Sequence, residues 1–277
     1  MFKRYKPFFR AGIMDLMAYK FNIFMWLLVT VFEVAVVVFL WLSVYKNSPE
    51  GANSIINGFT FKEMITYVVM INIFTFITMD GSTLWQINDE IKMGTISIAF
   101  TRPISYRKRF IATTLGNVTM MTLMFGLPLL SIAYLVFYLI DFIVIESIGV
   151  FLFHILLFFI AQLIAVLLND VINYIFGILC FYTSSGWGIN QIKEIITSFL
   201  SGSLLPLAFF PGVFKDIVVN LPFAGLASNP VMILLMKVDI LGSLKIIGIS
   251  IIWIVILEVF AHLLFNHASK KVTVHGG

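Results

Sequence analysis

The stretch from Ile148 to Thr183 is mostly apolar, and its main polar interruption is Asn169, Asp170 and Asn173. It exceeds the roughly 20 residues that a helix needs to cross a bilayer. Further apolar runs cover 23–45, 61–85, 110–138, 192–210 and 244–265. Hydrophobic residues make up 60% of the chain and charged residues 12%, whereas soluble domains carry about 25% charge. Mean hydropathy is +1.03. The short alternating segments of a membrane β-barrel, about ten residues each, are absent. The chain is therefore predicted to be an all-α polytopic membrane protein with about six transmembrane helices. The net charge of +4 fits the positive-inside bias better than nucleic-acid binding. The single cysteine, Cys180, allows no intramolecular disulfide and does not report a compartment.

Residues 1–22 hold Lys3, Arg4, Lys6, Arg10 and Lys20 against one acid, Asp15. Phe9, Ile13, Leu16 and Met17 form one helical stripe, so an amphipathic helix in the cytoplasmic headgroup region is expected. A plain basic topogenic tail is the alternative. The run after it lacks a clear small-residue cleavage site and reads as an anchor. Spans 1 and 2 occupy 23–85, separated by a turn-rich external loop. Span 2 is polar, with Thr66, Asn72, Thr75, Thr78 and Asp80, and should face other helices or a wet cavity. A cytoplasmic loop follows at 86–109. Spans 3 and 4 fill 110–183, with Gly126 and Pro128 able to bend span 3 and 148–183 read as one span with a cytoplasmic extension. A cytoplasmic turn and span 5 occupy 184–210. Four of the eight prolines, Pro206, Pro211, Pro222 and Pro230, then crowd together. Broken backbone at membrane depth must be covered by protein or water, so the external region 211–243 is expected to be re-entrant. Span 6 covers 244–266, and 267–277 is a cytoplasmic tail. This map of one transmembrane domain, 1–277, places thirteen of the 18 Lys and Arg on the inner side and both termini in the cytoplasm.

Much chemistry is missing. No phosphate-binding P-loop or H-E-x-x-H motif occurs. His154, His262, His267 and His275 lack metal-ligand spacing and read as interfacial residues, so no metal site is expected. No catalytic triad stands out, and an enzyme acting alone is not expected. The polar interruption from Glu90 to Ser105, EIKMGTISIAFTRPIS, is followed at once by Arg107, Lys108 and Arg109. Ile87, Ile91 and Ile98 can share one face of a short helix that Gly94 weakens and Pro103 ends. Such a helix could dock a soluble partner, or it could be an ordinary charged turn. The pattern alone fits both.

The residues Glu90-Ile91-Lys92, Gly94-Thr95-Ile96 and Arg102-Pro103-Ile104-Ser105 resemble the loop between the second and third spans of ABC type-2 exporter permeases. That loop usually has an acidic residue, a basic residue, G-T, apolar residues, then R-P-[IV]-S; Phe100 stands where Leu is more common. Tyr19-Lys20 before span 1 is similar to the family's connecting helix. Ser201-Gly202 with Pro206 and Pro211 resembles its S-G-x-x-x-P signature, and Leu221-Pro222-Phe223 and Asn229-Pro230 follow as expected. Gly276-Gly277 is similar to a subgroup whose permeases often act as unlike pairs. The resemblance implies a cell-membrane exporter subunit without its own ATPase site. It implies a second permease chain, different or identical, and separate ATPase subunits that hold ATP and Mg. Residues 91–104 would be the ATPase-coupling helix, braced by the N-terminal helix.

Glu33, Asn72, Asp170 and Glu258 are the translocation-path candidates, with interhelical hydrogen bonding as the alternative for the two glutamates. An ATP-independent secondary transporter or channel would use Glu33, Glu258 or Asp170 as a relay, although no inverted repeat is visible. A non-transporting membrane anchor is a third possibility. A hydrophobic or amphipathic small molecule or peptide is the expected cargo, with lipid as the surrounding partner and no nucleic acid.

Overall fold

The computed structural model describes residues 2–18, 20–79, 81–101, 103–145, 147–183 and 185–271. Tyr19, Asp80, Arg102 and Gly276-Gly277, all used in the sequence reading, lie outside them. Twelve α-helices are described: α1 (Phe2–Ala18), α2 (Lys20–Lys46), α3 (Phe61–Thr78), α4 (Ser82–Lys92), α5 (Ile96–Thr101), α6 (Tyr106–Met121), α7 (Leu127–Leu139), α8 (Ile148–Leu179), α9 (Gly186–Leu200), α10 (Gly212–Asn220), α11 (Ser228–Leu234) and α12 (Ile240–Ala268). The described residues contain no named strand, so the all-α polytopic reading stands.

Among the described residues, five segments are long and apolar enough to span a membrane: 21–46, 61–92, 106–139, 148–179 and 240–268. The span predicted at 192–210 takes another form. Its helix is α9, which starts earlier, has 15 residues and ends at Ser201. At about 1.5 Å per residue it covers roughly 22 Å, less than the ~30 Å hydrocarbon core. It nonetheless runs from one end of the molecule towards the other. Gly186 packs on the Asn88 side chain, while Ser201 reaches the level of Tyr67 in α3.

The polarity of span 2 has a clear structural meaning. The apolar window of α3–α4 is 59% buried, against 6% for α2 and 11% for α12. α3 is thus the central helix, started by a Thr60–Glu63 capping box. That reciprocal arrangement satisfies two orphan amides at the helix start. Its polar side chains turn back on their own helix: Thr66 donates to the Lys62 carbonyl, Asn72 to Val68, Thr75 to Asn72 and Thr78 to Phe74. They are satisfied locally, which lets α3 pack closely against its neighbours over most of its length.

The third crossing bends at a π-helical turn, Thr122–Gly126, between α6 and α7. Pro128 has no amide to donate to the preceding turn, and such an interruption is absorbed as a π-bulge. Gly126 meets Ile77 of α3 at this bend. α8 is one unbroken helix of 32 residues, roughly 48 Å long. It packs on α12, α4, α6 and α11 and forms the spine of the molecule.

The proline-rich region folds back on itself part-way along the bundle. Asn220, at the end of α10, accepts a hydrogen bond from the Trp253 indole halfway along α12. Lys237 is back at the level of Glu63, at the start of α3. The prolines explain the broken path. Pro206 and Pro211 immediately precede a short helical turn and α10, Pro222 begins the turn Pro222–Leu226, and Pro230 lies in the first turn of α11. Near a helix start the missing amide costs no internal hydrogen bond. Gly202 has φ of 85°, and a Cβ there would lie 2.9 Å from Ser228 Cβ. Only glycine fits that left-handed, crowded corner.

Candidate functional site: the loop end of the bundle

The 86–109 loop differs from the single short helix expected. α4 runs to Lys92, residues 93–95 turn, and α5 begins at Ile96. Gly94 adopts φ of 70°, which ends one helix and redirects the chain. The proposed Ile87–Ile91–Ile98 face is therefore split. Ile87 is fully buried, Ile91 half-buried, and Ile98 is 52% exposed on the next helix. Ile96, at 4% exposure, takes the buried place instead.

Two electrostatic anchors hold this loop. Glu90 accepts from the Tyr106 hydroxyl at 2.9 Å and pairs with Arg109 at 2.8 Å. The Arg109 guanidinium lies over the rings of Tyr106 and Phe110, 4.8 and 4.5 Å from their centroids. The second anchor is deeper. Arg107 pairs with Asp170 of α8 at 2.5 Å and with Glu258 of α12 at 2.7 Å. It also sits 4.7 Å from the Tyr174 ring centroid. The other carboxylate oxygen of Asp170 accepts from Thr83 of α4 at 2.6 Å and Thr114 of α6 at 2.8 Å. Three helices meet at one carboxylate, and Arg107 links α12 to them. Asp170 is 1% exposed, and a charge so buried persists only when paired and hydrogen-bonded.

Around these anchors Ile87, Ile96, Tyr106, Phe110, Val171 and Tyr174 form a separate apolar cluster with the end of α12. Tyr106 stacks on Phe265, 5.1 Å between centroids. α1 lies along α6: Gly12 meets the Thr113 and Asn117 backbone, and Gly116 meets the Phe9 carbonyl. The Ser105 amide donates to the Tyr5 hydroxyl at 3.1 Å. The described start and end of the chain therefore lie at the same end of the molecule as the loop. The apex remains uncovered: Lys92, Met93, Gly94, Thr95, Ile98, Thr101 and Pro103 are exposed, and Ile104 is half-buried.

The candidate residues thus separate into groups. Glu90, Ile91 and Ile96 fix the loop from within, while Lys92, Gly94, Thr95 and Pro103 form its apex; Arg102 lies outside the described residues. Asp170 and Glu258 come together, but on Arg107. Asn72 is half-buried and bonded to its own helix. Glu33 is on the exposed face of α2, apart from the other three. In the re-entrant region the Ser201 carbonyl accepts from the Ser228 amide and the Gly202 carbonyl from the Tyr67 hydroxyl, both at 3.0 Å. Buried Lys193 of α9 donates to the Asn173 side chain at 2.8 Å.

Sequence reasoning missed Arg107, Thr83 and Thr114. The signal was present: two intramembrane carboxylates demand a cation, and Arg107 begins the following span. A basic run beside a span reads first as a marker of sidedness, which hides any further role.

Compared with known families, the chain matches the ABC-2 family transporter protein description over residues 27–276. The protein belongs to the ABC-2 family of transporter membrane proteins. It is a multi-pass membrane component of a transport system. No curated protein and no solved structure is detectably similar to it.

Proposed function

We propose that the chain is the permease subunit of an ATP-driven exporter in the cell membrane, and that residues 90–104 receive the work of a separate ATPase. ATP and Mg bind on that partner. The observation that carries the reading is the contrast within the loop. Its apex is exposed and apolar at Met93 and Ile98, 76% and 52% exposed. Its base is fixed to α6, α8 and α12 through Glu90–Arg109 and the Arg107 cluster. A rigid lever with a free apolar tip suits force transfer, and an ordinary turn needs no such anchoring.

α9 completes six crossings in this reading, and both termini face the cytoplasm with the basic loop. A second permease chain, identical or different, covers the outer face of α2. A lone carboxylate such as Glu33 is costly against lipid, and that face has few contacts within the chain. The translocation path runs between the two permeases, and its cargo is a hydrophobic or amphipathic molecule or peptide. The relay mechanism of a secondary transporter is less well supported, because Asp170 and Glu258 are both engaged by Arg107.

The test is co-purification of the tagged chain in mild detergent, with vanadate-sensitive ATP hydrolysis as readout. The expected result is a P-loop ATPase recovered with the wild type and lost from Gly94→Pro and Arg102→Glu, with the spans intact. A chain that purifies alone and transports on a proton gradient would overturn the reading.

A further inference from the structure

At the end of the molecule opposite the loop, a cavity of about 570 Å³ opens between the start of α3, the 140–147 connection and the 235–239 turn into α12. Its volume is in the range of small-molecule sites, roughly 300–1,000 Å³. One wall is charged. Glu63 and Lys237 form an ion pair whose side chains are 27% and 33% exposed, with Asp239 beside them. The remaining walls are mixed: Phe59, Phe142, Ile143 and Val144 are apolar, and Thr66, Ser147 and His154 are polar.

Two features show that the charged wall is built rather than incidental. Lys237 follows Met236, a non-glycine residue held at φ of 53°, a conformation that costs free energy. Behind it, His154 is 3% exposed, and its ring nitrogens lie 2.9 and 3.0 Å from the carbonyls of Val150 and Val238. That contact fixes the turn against α8. The ion pair adds little stability, because partly exposed pairs contribute little to folding. Glu63 already completes the capping box through its other oxygen, which accepts from the Thr60 amide. Lys237 has no part in that cap.

We propose that this cavity binds a zwitterionic headgroup on an apolar body: the ligand ammonium takes Glu63 and its anionic group takes Lys237. A ligand carrying both charges exchanges one ion pair for two and leaves neither wall group unpaired. A ligand with a single charge would take one of them and leave the other without its partner, at a cost in free energy. Asp239, which also lines the cavity, is committed to capping α12 through the Gly242 amide. Val144 and Val150 of the lining are 71% and 44% exposed, so an apolar tail can leave towards the bilayer. An aminophospholipid and a free zwitterion share this chemistry. The inference does not depend on the ATPase-coupling reading, and its test can fail separately.

The test uses the full chain in detergent, with phosphatidylethanolamine, phosphatidylglycerol and free phosphoethanolamine as probes and native mass spectrometry as readout. The wild type should retain one phosphatidylethanolamine per chain in preference to phosphatidylglycerol. Lys237→Gln should weaken retention by about tenfold or more, roughly 1.4 kcal/mol. Ser147→Trp should do the same by filling the cavity. Ser147 is exposed and its side chain caps nothing, so that variant keeps the test independent of the ion pair. Displacement by free phosphoethanolamine would identify the headgroup alone as sufficient; retention despite it would identify the lipid as the source. Equal retention by wild type and Ser147→Trp, equal retention of both lipids, or no retention by the wild type would overturn the proposal.

Discussion

At the residue scale, Arg107 is the most consequential side chain outside the loop apex. Removing it strands Asp170, which is 1% exposed and has no other charged partner at its carboxylate among the described contacts. Breaking a buried pair from one side costs about 3–5 kcal/mol. Arg107→Met should therefore lower stability in detergent by that amount, read by thermal or denaturant unfolding. Adding Asp170→Asn and Glu258→Gln should recover most of the loss, because the charge that needed a partner is gone. The carboxamide oxygen introduced at position 170 can still accept from both threonines. A loss below about 1 kcal/mol for Arg107→Met would show that water reaches the cluster. The sequence made the carboxylates legible but not their role. Asp170 and Glu258 stand out because charge inside a span is costly, yet their shared cation lies many residues away and only the tertiary fold brings the three together.

At the element scale, the contact of α1 with α6 turns on absent side chains. The sequence stripe Phe9, Ile13, Leu16 and Met17 identifies the helix and nearly identifies its packed face. The packed face is centred on Gly12, with Leu16 buried, Phe9 and Ile13 half-buried and Met17 43% exposed. Counting apolar residues overlooks a glycine whose value is close backbone approach. A Cβ at Gly116 would collide with the Phe9 carbonyl, and overpacking of this kind costs about 1–3 kcal/mol. Gly116→Ala should therefore destabilise the protein and expose α1 to protease. Gly248→Ala in α12, where a Cβ meets nothing within 4 Å, should be neutral or stabilising by up to about 1 kcal/mol. Equal behaviour of the two variants would contradict tight α1–α6 packing. The same local logic explains the loop. Gly94 is legible as a helix weakener, but its left-handed conformation, which splits the helix and turns Ile98 outward, follows from how Ile87 and Ile96 pack in the cluster beneath.

At the scale of the whole molecule, hydropathy alone locates five crossings, because length and composition are what a bilayer selects. The sixth span expected from the sequence is not among them. α9 is short and amphipathic, and the chain beyond it continues as short turns instead of further helix. The architecture joins the loop at one end, through the Arg107 cluster, to α8 and α12, which reach the cavity at the other. Force applied at the apex therefore meets the spine of the protein directly.

The most direct measurement of that claim is a site-specific cross-link from the apex. Met93, 76% exposed, is replaced by cysteine in the full chain in its native membranes, and Leu139→Cys, 69% exposed at the opposite end, is the control. The native Cys180 need not be removed. It is 3% exposed. Its labelling is therefore slow. The account predicts a cross-link from Met93→Cys to a P-loop ATPase, changed in yield by vanadate trapping, and none from Leu139→Cys. Cross-linking of Met93→Cys to lipid alone, or to the ATPase equally from both positions, would contradict it.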